Sequence, residues 1–481
     1  MKLVEMSFVL FYFIIIAGIG LYTKKRASRS VEDYWVAGHQ VGPFVNAFAY
    51  QAAISSAAAL MGFIGLGYKM GLTLILTIGA STTFAMFLSQ FLVAIPLRNS
   101  GYMTLHEFFS GRYNSKIIKV VAATITTILF FFYCIPQIQA VGMLGQFLLG
   151  INYNTSVIIC GIVVILYTTW GGMWAVTFTD FLQGVFLVTA VIVIGVLGIS
   201  FMGGWDNATA EAVKVQPFLF KANPKIPIIT FIGIFFATHS LAFSSPHLIM
   251  RFFTNRDAKS GRLSMMCAVI INPFVYTIAY TLIIVAGVAM IPNIAKPDML
   301  SIEMASKTAG VIGSGLLYGG ILSAIMSTVS AMLLVVAAAV SRDIISTIRP
   351  QTTEKQQIQF GKIAIWTFGI GAILAAMNPF ALIGLIVVVF TGAVGSSFYF
   401  PLLLGLYWKR ANATGAIISM IGGLALYAIL YFNKVLPLFG EILVSLPVAA
   451  LLLVVGSYLS KPSLDSASTE KLFEKMHNLY S

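Results

Sequence analysis

The sequence predicts an all-α protein that crosses a membrane about thirteen times, and three observations carry that prediction. Hydrophobic residues make up 59% of the 481 positions and charged residues only 9%. A soluble domain dresses its surface with about 25% charged residues, so most of this surface faces something other than water. Apolar runs such as Met6–Tyr22 approach the roughly 20 residues a helix needs to cross the hydrocarbon core. A helix also satisfies its own backbone groups there. Ten-residue alternating patterns are absent from the sequence, which argues against a β-barrel. Basic residues, finally, cluster at every second turn.

The expected spans are 6–23, 43–70, 73–97, 118–149, 155–170, 175–202, 227–252, 264–291, 313–340, 360–378, 380–407, 412–432 and 437–459. The first is an extra helix ahead of the rest. It is not a cleaved leader, because Lys24, Lys25, Arg26 and Arg29 follow the apolar run instead of preceding it. Lysine and arginine mark cytoplasmic loops, so the N-terminus is expected outside. The alternation then continues. Expected inner segments carry Arg98, Arg112, Lys116, Lys119, then Arg251, Arg256, Lys259, Arg262, then Arg342, Arg349, Lys355, then Lys409 and Arg410. Expected outer segments hold few, such as Lys69, Lys221 and Lys434. The net charge of +13 is therefore a topology signal and not a nucleic-acid surface. An odd number of crossings puts the tail, 460–481, in the cytoplasm of a cell-membrane protein. No loop is long enough for a second domain. Cys134, Cys160 and Cys267 all lie in apolar segments, without disulfide or zinc spacing.

Polar residues inside spans are costly and usually functional. The second span holds Tyr50, Gln51, Ser55 and Ser56 among alanines. That pattern fits an interrupted helix exposing carbonyls to a ligand. It fits equally a close helix–helix contact. The seventh span holds Thr238, His239, Ser240, Ser244, Ser245, Pro246 and His247. Pro246 removes a backbone donor and frees a carbonyl. His247 reads as an interior histidine bonded to a carbonyl, and His239 stays open. The ninth span holds Ser323, Ser327, Thr328 and Ser330. The carbonyl of Ala324 precedes Ser327 by three residues and Thr328 by four, so these oxygens can converge. Hydroxyls can instead bond back to their own helix. Asp180 is the one acid well inside the first eleven spans. It either snorkels to the inner interface or acts as an ion ligand or gate. No arginine or lysine is expected deep in a span. Spans two to six and seven to eleven make two sets of five. Five is odd, so the sets enter from opposite sides, and the polar breaks fall on the first helix of each. Interrupted helices at corresponding places of inverted halves point to a transport site. No nucleophile–base pair or metal cluster suggests an enzyme.

Trp170-Gly171-Gly172-Met173-Trp174-Ala175-Val176-Thr177-Phe178-Thr179-Asp180-Phe181-Leu182-Gln183 resembles the signature of the sodium:solute symporter family. Phe63-x-Gly65-x-Gly67-Tyr68-x-x-Gly71, Pro246-His247-x-x-x-Arg251-Phe252 and Ala324–Ser330 are similar to further family motifs, in the family's order. The resemblance covers nearly the whole chain. It implies a leucine-transporter-like core of ten helices in two inverted repeats, here 43–202 and 227–407, with the extra helix 6–23 before it and two helices, 412–459, after it. It implies sodium as the coupling ion, with no organic cofactor. The sodium ligands it implies are Ala52, Ser55, Ala324, Ser327 and Thr328: five neutral oxygens, suited to a hard cation that must also leave. Asp180 matches an aspartate that takes part in a second sodium site in some members. Solute contacts are implied at Gln51, Ser56, Tyr133, Thr238 and Ala242. Proline-transporting members carry an aspartate where this chain has Ile54, which argues against proline-type recognition. Ser245–Thr254 looks most like members that carry acetate and other short monocarboxylates, and that is the solute expected. Alternatives are the same fold carrying pantothenate, an amino acid or a sugar, and a sodium-independent facilitator or channel.

Overall fold

The computed structural model describes every residue except 1, 57, 379–382, 464–465 and 479–481. The described residues are helical throughout the apolar segments, and two residues, Val41 and Asn255, form an isolated bridge between loops. Among the described residues, ten helices are long and apolar enough to cross a membrane, and a bent pair, taken as one span, makes an eleventh. We number the principal helices in chain order. They are α1 (Lys2–Ala27), α2 (Pro43–Ile54), α3 (Ile64–Met70), α4 (Leu72–Leu92), α5 (Lys116–Leu149), α6 (Tyr153–Phe201), α7 (Ile228–Ser244) and α8 (Pro246–Thr254). Then follow α9 (Ala258–Pro273), α10 (Tyr280–Met290), α11 (Gly310–Ala338), α12 (Glu354–Ala376), α13 (Ile383–Tyr407), α14 (Ala413–Phe432), α15 (Ile442–Leu459) and α16 (Ser466–His477). The expected start of the eleventh span, 380–382, lies outside the described residues.

Both expected breaks are present. The second span divides into α2 and α3, joined through a π-wound turn, Ala58–Phe63, with 58° between the two halves. The seventh divides at Ser245, whose extended backbone separates α7 from α8. Pro246 then starts α8 at a position where a missing N–H costs nothing.

The expected gap between the fifth and sixth spans nearly closes. A single run of 49 residues, α6, covers both, and its one non-helical residue is Gly172, at φ 51° and ψ −147°. The chain reverses there. Gly20 of α1 abuts Tyr167, yet twelve residues past Gly171 the chain has travelled back along α1 to Gln183, which donates to Tyr12. A left-handed φ favours glycine. A side chain at 172 would also strike the Tyr34 backbone and ring. The reversal falls within the expected connection, 171–174, and shortens it to a single non-helical residue.

α11 runs through the middle of the molecule, every residue of its best membrane-length window being buried. α6 packs along it through small residues: a Cβ at Gly320 would meet Ala190 at 2.3 Å. At the end of the molecule that carries Arg98, Arg342 and Lys409, here called the basic end, α11 gives way to a π-wound stretch, Ala339–Ile345. Asp343 on that stretch is buried and bonded to His106 (2.8 Å), Thr104 (3.2 Å) and Lys119 (3.3 Å), while Arg342 pairs with Glu107 (2.7 Å). These contacts clip α11 to the start of α5 and to the short helix Leu105–Tyr113.

Two of the basic residues expected at an interface are buried instead. Arg112 is 1% exposed, and its guanidinium donates to the carbonyls of Gly405, Trp408 and Ala411 at the end of α13. Carbonyls at a helix C-terminus lack intrahelical donors and attract cations, so this arginine needs no carboxylate. Arg251 is the second, and it belongs to the site.

Candidate functional site

The site begins with what the break in the second span leaves bare. α2 stops at Ile54 because Ser55 turns to φ −85°, ψ 60°. Carbonyls in the last turn of a helix lose their donors unless something outside supplies one. Ser55 N–H still reaches Gln51 O at 2.9 Å. The next three carbonyls find partners on other helices. Ser327 Oγ of α11 lies 3.0 Å from Ala52 O, and Thr328 Oγ1 lies 3.3 Å from Ala53 O. Tyr276 donates to Ile54 O at 3.1 Å.

The two hydroxyls also lie 3.0 and 3.3 Å from the carbonyl of Ala324 on their own helix. Both readings of the Ser-Thr pair thus hold together: bonding back, and reaching across. The two hydroxyls thereby link five oxygens, those of Ala52, Ala53, Ala324, Ser327 and Thr328, at 3.0 to 3.3 Å. Each hydroxyl carries a single hydrogen. Two hydrogens cannot serve all four contacts, and both hydroxyls are fully buried. No carboxylate is among them. Such a set suits a hard monovalent cation. Ala53 is the carbonyl that sequence reasoning passed over, and Ser55 lies in the break itself, its hydroxyl accepting from Gln51 at 2.9 Å.

The residues expected to meet solute gather near the same break. Gln51, Ser56 and Tyr133 are each at most 2% exposed. Ser56 Oγ lies 3.4 Å from the Tyr133 hydroxyl. The Tyr133 ring stacks on Phe390 of α13, centroids 4.0 Å apart and 9° from parallel. Gln51 Nε2 donates to Ser55 and, at 3.3 Å, to Asn272 Oδ1 of α9. Asn272 in turn donates to Thr82 and Thr83 of α4. Gln51 Oε1 has no partner although it is buried.

Thr238 and Ala242 sit one turn apart on α7. Thr238 bonds Ile234 O (2.7 Å) and Ser81 Oγ (2.8 Å). The Ala242 carbonyl is the one Pro246 deprives of a donor, and Tyr50 of α2 takes it at 2.8 Å. The proline that breaks the seventh span thereby ties it to the broken second span. His247 is an interior histidine: its Nδ1 meets Ser245 Oγ at 2.8 Å, and its ring reaches the Ala53 carbonyl. His239 Nε2 lies 3.2 Å from the Tyr399 hydroxyl, with aromatic rings stacked about it.

Asp180 is fully buried, which removes the snorkelling reading. Its Oδ2 is bonded by Arg251, whose other amino group reaches Thr177, while Oδ1 has no partner. Arg251 stands in the last turn of its span, as expected, but it is 1% exposed where an interface position was expected. Hydropathy set Arg251 at the edge of the seventh span. The break at Ser245 instead sends α8 in among other helices, where all nine of its residues are buried. Asn46 and Asn255 both donate to the Arg251 carbonyl, at 2.8 and 2.9 Å. Sequence reasoning missed Asn272 and Phe390 as well. Asn272 had a usable signal, an asparagine beside Pro273 in an apolar run; Phe390 had none.

The sodium:solute symporter family model matches residues 34–423. The osmoregulated proline transporter OpuE of Bacillus subtilis (strain 168) is 31% identical over 434 residues, covering 86% of each chain. The sodium/proline symporter of Staphylococcus aureus (strain JH9) is 30% identical over 453 residues, covering 89% of this chain and 85% of its own. Among solved structures, a Na+-coupled sialic acid symporter in a substrate-bound outward-open state superposes with a TM-score of 0.79 at 18% identity, over 95% of this chain and 98% of that one. Mhp1, a nucleobase-cation-symport-1 family transporter in a closed conformation, gives 0.57 at 15% identity, over 92% and 98%. These two likenesses show the fold.

Proposed function

Because the chain belongs to the sodium:solute symporter family, we propose that it couples sodium entry to the uptake of a small amino or imino acid, with proline the first candidate. Family membership makes it a multi-pass membrane transporter driven by sodium, and not an enzyme. In this reading the ion sits among Ala52, Ser55, Ala324, Ser327 and Thr328, with the neighbouring carbonyl of Ala53. The transport unit is the two sets of five spans, 43–202 and 227–407. The N-terminus faces out and the tail faces the cytoplasm, which the placement of basic residues supports.

One observation favours an amino acid over a monocarboxylate. Gln51 Oε1 is a buried acceptor without a donor, beside the break and beside Ser55. Leaving such an atom unpaired costs about 1–3 kcal/mol. An ammonium or imino group can supply the hydrogen, and an acetate ion cannot. Gln51, Ser56, Tyr133, Thr238 and Ala242 are the solute contacts of this reading, the Tyr133–Phe390 stack giving an apolar ring a flat wall. Ile54 offers no carboxylate, so recognition of the amino group falls to neutral oxygens. The segment that suggested acetate, Ser245–Thr254, is occupied otherwise: Arg251 holds Asp180, and Asn46 holds the helix end. Asp180, already engaged by Arg251, serves here as a latch between α6 and α8 and not as a second ion site.

The test is uptake into proteoliposomes under an imposed sodium gradient, with proline, other amino acids, acetate, pantothenate and sugars as the panel. Proline or another amino acid is the expected cargo, and Gln51→Leu is expected to raise its KM by about tenfold. Accumulation of acetate alone contradicts the solute assignment.

A further inference from the structure

Gln137 of α5 is fully buried, and neither its Nε2 nor its Oε1 has a hydrogen-bond partner. Buried polar side chains are nearly always paired, so an orphaned amide calls for an explanation. Its position supplies one. At 3.6 residues per turn, residues four apart lie about 40° apart around a helix. Gln137 therefore shares a face with Tyr133, the residue that touches Ser56 and stacks on Phe390. Phe130, on the same face one turn earlier, meets Phe390 and His247. This face of α5 looks onto the broken second and seventh spans. α5 starts at the basic end, so Gln137 stands one turn farther from that end than Tyr133. Pro136 beside it also removes one backbone bond from α5.

Gln51 and Gln137 are thus two orphaned amides on the two segments that meet at Ser56 and Tyr133. Gln51 offers an acceptor, and Gln137 offers donors as well as an acceptor. We infer that Gln137 contacts the transported solute, its Nε2–H donating to the carboxylate of an amino acid whose ammonium or imino group is held by Gln51 Oε1. This inference rests on the amino-acid reading given above. It adds a residue that selects for the carboxylate end, and it explains why an amide is kept in an apolar helix.

Gln139 supplies the control. It too is buried with both amide atoms unpaired. It lies about 200° round the helix from Gln137 and cannot share a ligand with it. A general effect of deleting a buried amide would act at both positions, and loss of a solute contact only at Gln137.

The experiment measures sodium-driven uptake of labelled L-proline, and of any other amino acid the wild type accepts, in proteoliposomes. The variants are Gln137→Leu, Gln137→Glu and Gln139→Leu. Gln137→Leu is expected to raise KM at least about tenfold while the half-saturating sodium concentration moves less than about twofold. Gln137→Glu is expected to raise KM further, since it sets one carboxylate against another. Gln139→Leu is expected to leave KM within about twofold of wild type. Gln137→Met, close in size and without donors, takes the place of Gln137→Leu if that variant fails to insert. An unchanged KM in Gln137→Leu or Gln137→Met overturns the inference and leaves the amino-acid reading standing. A wild type that carries no amino acid overturns that reading itself, and the inference with it.

Discussion

At the crossing of α2 and α11 the hydroxyls of Ser327 and Thr328 reach the carbonyls of Ala52, Ala53 and Ala324. Ser327 and Thr328 stand out because adjacent hydroxyls in an apolar helix are conspicuous, and Ala324 follows from helical spacing. Ala53 was hidden, because which carbonyl lacks a donor depends on the residue at which α2 ends. Arg251 was hidden for a related reason. Hydropathy ranks a residue by its distance from a span end, and it does not show that the half-helix after Pro246 is walled on every side. The buried Arg251–Asp180 pair makes a prediction at this scale. Removing one partner strands the other charge, which costs about 3–5 kcal/mol in buried pairs. Arg251→Leu should therefore lower the midpoint of thermal unfolding in detergent far more than the double change Arg251→Leu, Asp180→Asn. Equal losses from the single and double changes would show that the pair is not coupled.

Among the elements, the two broken spans were legible because each carries its own chemistry: small residues with serines in one, Ser245-Pro246 in the other. The reversal at Gly172 was legible only in part. The paired glycines at 171 and 172 mark a family motif, but nothing in the apolar pattern says that the loop shrinks to a single residue. Contacts between elements at the end opposite the basic end were not legible at all. The broken helix and α13 meet there backbone to backbone, since a Cβ on Gly62 would lie 2.5 Å from Gly384 N. Asp298, in the loop between α10 and α11, accepts from Ile383 N–H at 3.3 Å, at the start of α13, and a Cβ on Gly65 would lie 2.8 Å from its Oδ1. Burial pushes the Asp298 carboxyl up from 3.8 to about 6. The folded protein then holds this proton more tightly than the unfolded chain does. Stability falls as pH rises from about 4 to about 6, and the loss is complete above that window. Thermal unfolding should accordingly occur at higher temperature at pH 5 than at pH 7, with the difference reduced in Asp298→Asn, which stays neutral throughout. An equal pH dependence in the variant would assign the effect to another group.

For the whole molecule, membrane class and helical architecture were read from composition and from where lysine and arginine fall, and the family follows from four motifs in order. Solute identity was not legible in the same way. In the proposed reading it rests on a few side chains from separate helices, and the acetate cue lay in a helix that turned out to hold Asp180. The driving force suffices for concentrative uptake. A potential of 100 mV contributes about 2.3 kcal/mol per charge, and a tenfold sodium gradient about 1.4 kcal/mol. One sodium ion can thus sustain a solute gradient of a few hundredfold, roughly tenfold per 1.4 kcal/mol. In the proposed cycle, sodium occupies the oxygens bared by the break in the second span, and α2, fixed to α11 through the ion, presents Gln51 and Ser56 to the solute. The most direct test compares sodium-driven uptake by the wild type and by the double variant Ser327→Ala, Thr328→Ala in proteoliposomes. The account predicts accumulation by the wild type under a sodium gradient, none under a proton gradient without sodium, and at least about a tenfold rise in half-saturating sodium for the double variant. Sodium stimulation that is undiminished in the double variant would contradict it.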